Sequence, residues 1–188
     1  MYSIRKAIPD DAKSISEIYV DSWRNTYAGL LPDDMLVGLD ANAREARWWR
    51  HALADRPGRQ AAFVAEGYGL GVVGFASGGA ARDRRFSYDG EVYTLYLLDD
   101  HHEIGLGKRL FITIAARLIE TRGPSLIVWV LKGNPARFFY EALGGKLVGH
   151  RHGTMGGTSI EEFGFAWEDA RSLIALGRQD RDGSTGRV

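Results

Sequence analysis

The chain contains no cysteine. A disulfide framework, a cysteine nucleophile and a thiolate metal site are thereby excluded. It also lacks an excess of either charge, with 24 Lys plus Arg against 24 Asp plus Glu. Proteins that work on the phosphates of a nucleic acid usually carry a basic surplus, so no nucleic-acid partner is expected. No apolar run reaches the length that spans a bilayer, and Met1 to Lys6 has no stretch resembling a secretory signal. No membrane partner and a cytoplasmic location are the expectations. What is present is ordinary globular composition: 188 residues, 45% hydrophobic and 26% charged, enough for one domain with a sizeable core.

Along the chain the hydrophobic period changes twice. Tyr2 to Ala7 alternates as a short strand, and Pro9-Asp10-Asp11-Ala12 then opens a helix with proline and acids where the helix dipole favours them. Tyr27 to Asp34 interrupts the helical pattern, and Asp40 to Asp55 resumes it. After residue 60 the pattern becomes extended: Ala61 to Ala65, Val72 to Ser77 and Glu91 to Leu98 are predicted strands, with Gly78 to Asp89 between the last two as a loop. Gly105 to Thr121 is the clearest helix, stopped by Gly123-Pro124. A strand from Ser125 to Leu131, a helix from Asn134 to Leu143 and a hairpin pair, Lys146 to His152 with Ile160 to Trp167, complete the order. This reads as an α+β fold in one domain over residues 1–170, with a parallel crossover around the Gly105 helix. From Gly177 to Val188 the low apolar content predicts a tail without fixed structure.

The strand-turn-helix around His102-Glu103-Ile104-Gly105-Leu106-Gly107 carries the chemistry. The first turn of a helix offers unpaired N–H groups and a positive dipole end, and glycines let an anion approach the backbone. Lys108 and Arg109 add cations at the same end. Alone, this predicts only an anion cradle suited to a pyrophosphate. Two further segments extend it: Leu95-Tyr96-Leu97-Leu98 before the cradle, and Asn134-Pro135-Ala136-Arg137-Phe138-Phe139-Tyr140-Glu141-Ala142-Leu143-Gly144-Gly145 after it. In this order and spacing the chain resembles the GNAT (Gcn5-related) N-acetyltransferase superfamily over residues 2–168. Asp11-Ala12 with Ser22-Trp23-Arg24-Asn25-Thr26-Tyr27 is similar to a bacterial subgroup of that family acting on small molecules.

The resemblance implies a mixed, mostly antiparallel sheet of about six to seven strands flanked by helices, with a parallel splay between strands 4 and 5. It implies acetyl-CoA as acyl donor and a primary amine of a small molecule as acceptor, joined by direct attack in a ternary complex. The cofactor would be held by Leu97, Leu98, His102, Glu103, Ile104, Gly105, Leu106, Gly107, Lys108, Asn134 and Arg137. Backbone N–H groups of Leu97 and Leu98 would polarise the thioester, and Asn134 would bind the pantetheine amide. Tyr140 would serve as general acid, since a phenol is still protonated at neutral pH and can protonate a departing thiolate. Glu91, eleven positions before His102, would be the base, with Trp23 and Tyr27 on the acceptor side. Two residues depart from the family pattern: His102 where Gln or Arg is usual, and Glu103 where glycine is frequent. Two rival readings remain, a non-catalytic acyl-CoA-binding module and acetylation of a protein amine. The oligomeric state is open, a homodimer included.

Two patterns are decoys by this reading. Gly69-Leu70-Gly71-Val72-Val73-Gly74 spells a dinucleotide fingerprint, but no helix follows it, so it is a hairpin turn. His150-Arg151-His152 offers two metal ligands on a strand without a third, and no metal is expected.

Overall fold

The computed structural model describes residues 1–53, 60–155 and 157–183. Its strands are β1 (Tyr2–Lys6), β2 (Gln60–Gly67), β3 (Gly71–Ala80), β4 (Gly90–Leu97), β5 (Leu126–Leu131), β6 (Lys146–Met155) and β7 (Thr158–Trp167). They form a seven-stranded sheet in the order β1-β2-β3-β4-β5-β7-β6. All neighbours run antiparallel except β4 and β5, which are parallel. The helices are α1 (Ala12–Tyr27), α2 (Asp33–Val37), α3 (Ala41–Trp48), α4 (Leu106–Thr121), α5 (Ala136–Ala142) and α6 (Arg171–Gly183).

Helical spacing decides which face of the sheet each helix covers. Leu106, Leu110, Phe111, Ile114, Ala115 and Leu118 of α4 recur three and four apart, and all are buried against Val73, Ala76, Val92, Val128 and Phe165. On the opposite face Ile15, Ile18, Tyr19 and Trp23 of α1 pack over Val64 and Phe75. The sheet is thus the middle of three layers, with a core on each side.

Four details differ from the sequence reading. Asp33–Val37, expected as an interruption, forms a short helix behind Pro32. The helix expected from Asp40 ends as α3 at Trp48 and continues as a π-helical turn over Trp49–Leu53; residues 54 and 55 lie outside the described residues. Gly78-Gly79-Ala80, expected in a loop, are the end of β3 and pair with Val92, Glu91 and Gly90. The tail expected without structure from Gly177 on continues α6 to Gly183, while 184–188 lie outside the described residues. Leu173 and Leu176 join the α4 core, and a Cβ at Gly177 would come within 3.1 Å of Ile112. Close packing on α4 holds a segment too polar to fold alone.

Candidate functional site: an open edge between two parallel strands

β4 and β5 pair over only three positions, Gly90 to Val92 with Leu126 to Val128. Beyond them the strands diverge, leaving the later half of β4 without a partner on that edge. Tyr93 sits as an extra residue on β4 at this point, because the β3 register jumps from Ser77↔Thr94 to Gly78↔Val92. A bulge increases local twist and turns the strand away from its neighbour.

Strand geometry then decides which amides face the gap. Successive residues direct their N–H groups to opposite edges of a strand. The Leu98 N–H donates to the Val73 carbonyl at 2.9 Å, and the Leu98 carbonyl accepts from His101 N–H at 2.9 Å. Leu98 is therefore spent on protein partners, which corrects its expected role as a donor to the thioester. The N–H of Leu97 points the other way, into the divergence. Its carbonyl on that edge accepts from Ser22 Oγ (3.4 Å) and His102 Nε2 (3.2 Å). The His102 ring thus ties the turn back to the strand end.

At the C-terminal end of β4 the chain makes a short 3₁₀ turn, Asp99–His101, and then enters α4 through Gly105 at φ 75°. This left-handed conformation suits glycine, and Glu103 at φ 60° adopts it too, at a steric cost a glycine would not meet. No side chain caps the helix, and its first bond at this end runs from Arg109 N–H to the Gly105 carbonyl. The N–H groups of Leu106 and Gly107 therefore precede the helical ladder at its positive end, with Lys108 following them. Glu103, Ile104 and Gly105 are exposed and Leu106 is buried, anchoring the turn.

Across the gap stand groups from three other elements. Asn134 follows β5; its Oδ1 accepts from Ala136 N–H (2.8 Å), starting α5, and its Nδ2 donates to Tyr27 Oη at 3.3 Å. Both ends of this amide are engaged within the protein. Trp23 Nε1 donates to Tyr96 Oη at 2.9 Å. Tyr140 on α5 is buried beside Phe111, Phe139 and Phe165. Burial pushes its phenol well up, and the neighbouring Tyr27 hydroxyl adds to the effect. Burial raises Tyr27 and Tyr96 likewise. Tyr140, Tyr27 and Asn134 thus converge where the two strands part, and Trp23 is a buried ring stacked on Tyr19 rather than an open wall. Arg137, on the first turn of α5, lies half-buried with its guanidinium over the Phe138 ring.

Glu91 has surroundings unlike those a base needs. It lies where β4 and β5 are still paired, opposite Ile127, and its side chain is wholly buried. Its two oxygens accept from Arg82 N–H (2.8 Å), Nε (3.0 Å) and Nη2 (2.5 Å). Both oxygens of this carboxylate are thus occupied by Arg82 rather than turned to the cleft. Its evident work is to fasten the β3–β4 connection, where Arg82 also lies over the Tyr93 ring at 4.1 Å.

Sequence reasoning missed Tyr96 and Trp129. Tyr96 was one apolar residue of a strand, and nothing but the tertiary contact of α1 makes its hydroxyl a hub. Trp129 stands one residue past the last β4–β5 pair, with Phe86 edge-on and Arg151 over its ring at 4.3 Å. Its indole N–H is buried without a partner among the described residues. A buried unpaired donor is costly unless a ligand or water meets it.

Comparison with known proteins agrees with this geometry. The FR47-like protein family model matches residues 69–152, which include β4, the cradle and Tyr140. An uncharacterized N-acetyltransferase of Bacillus subtilis, YuaI, is 34% identical over 176 residues, 94% of this chain and 98% of that protein. A ribosomal-protein-alanine N-acetyltransferase from Brucella melitensis superposes with TM-score 0.68 at 25% identity, covering 88% of this chain and 98% of that one. An acetyltransferase from Salmonella typhimurium, solved with its cofactor acetyl-CoA, gives TM-score 0.66 at 23% identity over 90% and 94% of the chains. The chain belongs to the GNAT superfamily of N-acetyltransferases. By that membership it is an acyltransferase.

Proposed function

We propose that the protein transfers the acetyl group of acetyl-CoA to a primary amine of a small molecule, by direct attack in a ternary complex. The observation that carries this reading is the Leu97 N–H directed into the β4–β5 gap, with Tyr140 and Asn134 on its far side. In it, the pyrophosphate meets the N–H groups of Leu106 and Gly107, with Lys108 next in the chain and Arg137 available to a phosphate. The pantetheine arm runs along the free edge of β4, taking the place of the missing strand partner. A developing oxyanion is stabilised by a backbone donor that needs no reorganisation. The neutral amine nitrogen attacks the thioester carbon, the carbon–sulfur bond breaks, and the Tyr140 hydroxyl protonates the sulfur. The proton shed by the acylated nitrogen passes through water to restore the Tyr140 hydroxyl. Burial supports that role, because it keeps the phenol protonated through the neutral range. The acceptor enters on the side of Tyr27 and Trp129, whose unpaired indole N–H suits an acceptor group of the substrate.

The test is a panel of small amines with acetyl-CoA, followed by free-thiol release, with short peptides bearing a free N-terminus or lysine as the second arm. Turnover with a small amine supports the proposal. Turnover with peptides alone favours a protein acceptor, and tight acetyl-CoA binding without turnover on either arm leaves a non-catalytic binding module.

A further inference from the structure

His150 and His152 alternate on β6, so their side chains share one face of the sheet. In the β6–β7 register His152 lies directly opposite Glu161, which brings a carboxylate to the same face. The sequence offered two ligands, and the hairpin supplies the third from a residue nine positions away. One ligand atom from each of the three lies within 4.8 Å of the other two. The two imidazole rings stand nearly perpendicular, 5.6 Å apart at their centres. Both histidines are exposed, and Glu161 is half-buried.

We propose that His150, His152 and Glu161 bind a zinc ion. Zinc accepts nitrogen and carboxylate ligands at about 2.0–2.2 Å in a tetrahedron, which sets ligand atoms about 3.3 Å apart. Closing from the present spacing calls for rotamer changes of the two exposed histidines toward half-buried Glu161. Two imidazoles with one carboxylate select a borderline transition metal over magnesium or calcium, which prefer oxygen donors. The residue opposite His150 is Phe163, which cannot ligate, so the fourth position falls to water or to a ligand from outside. The Glu161 carboxylate already bonds Lys132 Nζ at 2.7 Å. An entering ion competes with Lys132 for this carboxylate. The lysine sits two residues before Asn134, so the site adjoins the end of β5 that borders the acetyl-transfer cleft.

The experiment titrates the full-length, tag-free chain with zinc sulfate against a chromogenic chelator. Cobalt(II) is the spectroscopic stand-in, its visible band reporting tetrahedral coordination. One zinc per chain is expected, weakened about tenfold or more by His150→Ala, by His152→Ala and by Glu161→Gln. Lys132→Met is expected to tighten it several-fold by removing the competitor. Far-UV circular dichroism of each variant separates lost ligation from lost fold. Absence of stoichiometric zinc binding overturns the proposal. So does binding that persists unchanged in the folded histidine variants, or that ignores both Glu161→Gln and Lys132→Met.

Discussion

Tyr140 and Glu91 are both buried ionisable side chains near one gap, yet their surroundings separate their work. Tyr140 has aromatic rings about it, and burial raises its phenol, so the proton is retained through the neutral range. Tyr140→Phe is expected to lower kcat by about 100-fold or more, the usual scale of a general acid, with the acetyl-CoA Kd unchanged. Steady-state kinetics and a direct binding titration check the split. Glu91 instead has its oxygens filled by Arg82. Glu91→Gln is expected to cost about 2 kcal/mol of stability while turnover at 25 °C falls less than tenfold, measured by urea unfolding and thiol release. A hundredfold fall in kcat with stability intact would restore the base role to Glu91.

At the scale of elements, position 78 near the end of β3 takes glycine because α4 and β4 come too close for anything larger. A Cβ at Gly78 would lie 2.7 Å from the Glu91 carbonyl oxygen and 2.9 Å from Leu118 Cδ1. The first neighbour is backbone and cannot step aside. Gly78→Ala is therefore expected to destabilise the fold by about 2 kcal/mol, seen as a lower Tm. The same contact explains why Gly78 to Ala80 did not read as strand: a stretch without side chains has no period to detect. The α4 start behaved oppositely. Its strand, turn and amphipathic helix were legible because strong local patterns flank Gly105, and the structure keeps those boundaries to within a residue.

For the whole molecule, the sheet separates two cores except where β4 and β5 part, and there the phenols of both faces meet. Tyr19, Tyr27 and Tyr140 are buried and Tyr96 is partly buried, and desolvation raises each above the ordinary phenol range. A phenol raised in the fold ionises first in the unfolded chain, at about pH 10. Its contribution to stability is thus complete below that pH and is lost as pH climbs toward the folded values. Burial raises Tyr88 and Tyr93 too, so ultraviolet titration at fixed temperature is expected to show these six of the eight tyrosines ionising late, together with cooperative unfolding. Ionisation of all eight as one early, non-cooperative step would contradict it.

The sequence by itself determined most of the order of elements, the glycine-bearing helix start at Gly105 and the family, because each rests on residues close together in the chain. Helical period, strand alternation and glycine at a helix start are local consequences of backbone geometry. Only the tertiary structure decided which amide faces the cleft, since Leu97 and Leu98 differ solely in which edge of β4 they serve. It also decided that Asn134 bonds Tyr27 across 107 residues and that Arg82 occupies Glu91. The third ligand beside His150 and His152 has the same origin in strand register. Hydrogen-bond partners distant in sequence are chosen by sheet order and packing, and no local pattern encodes them.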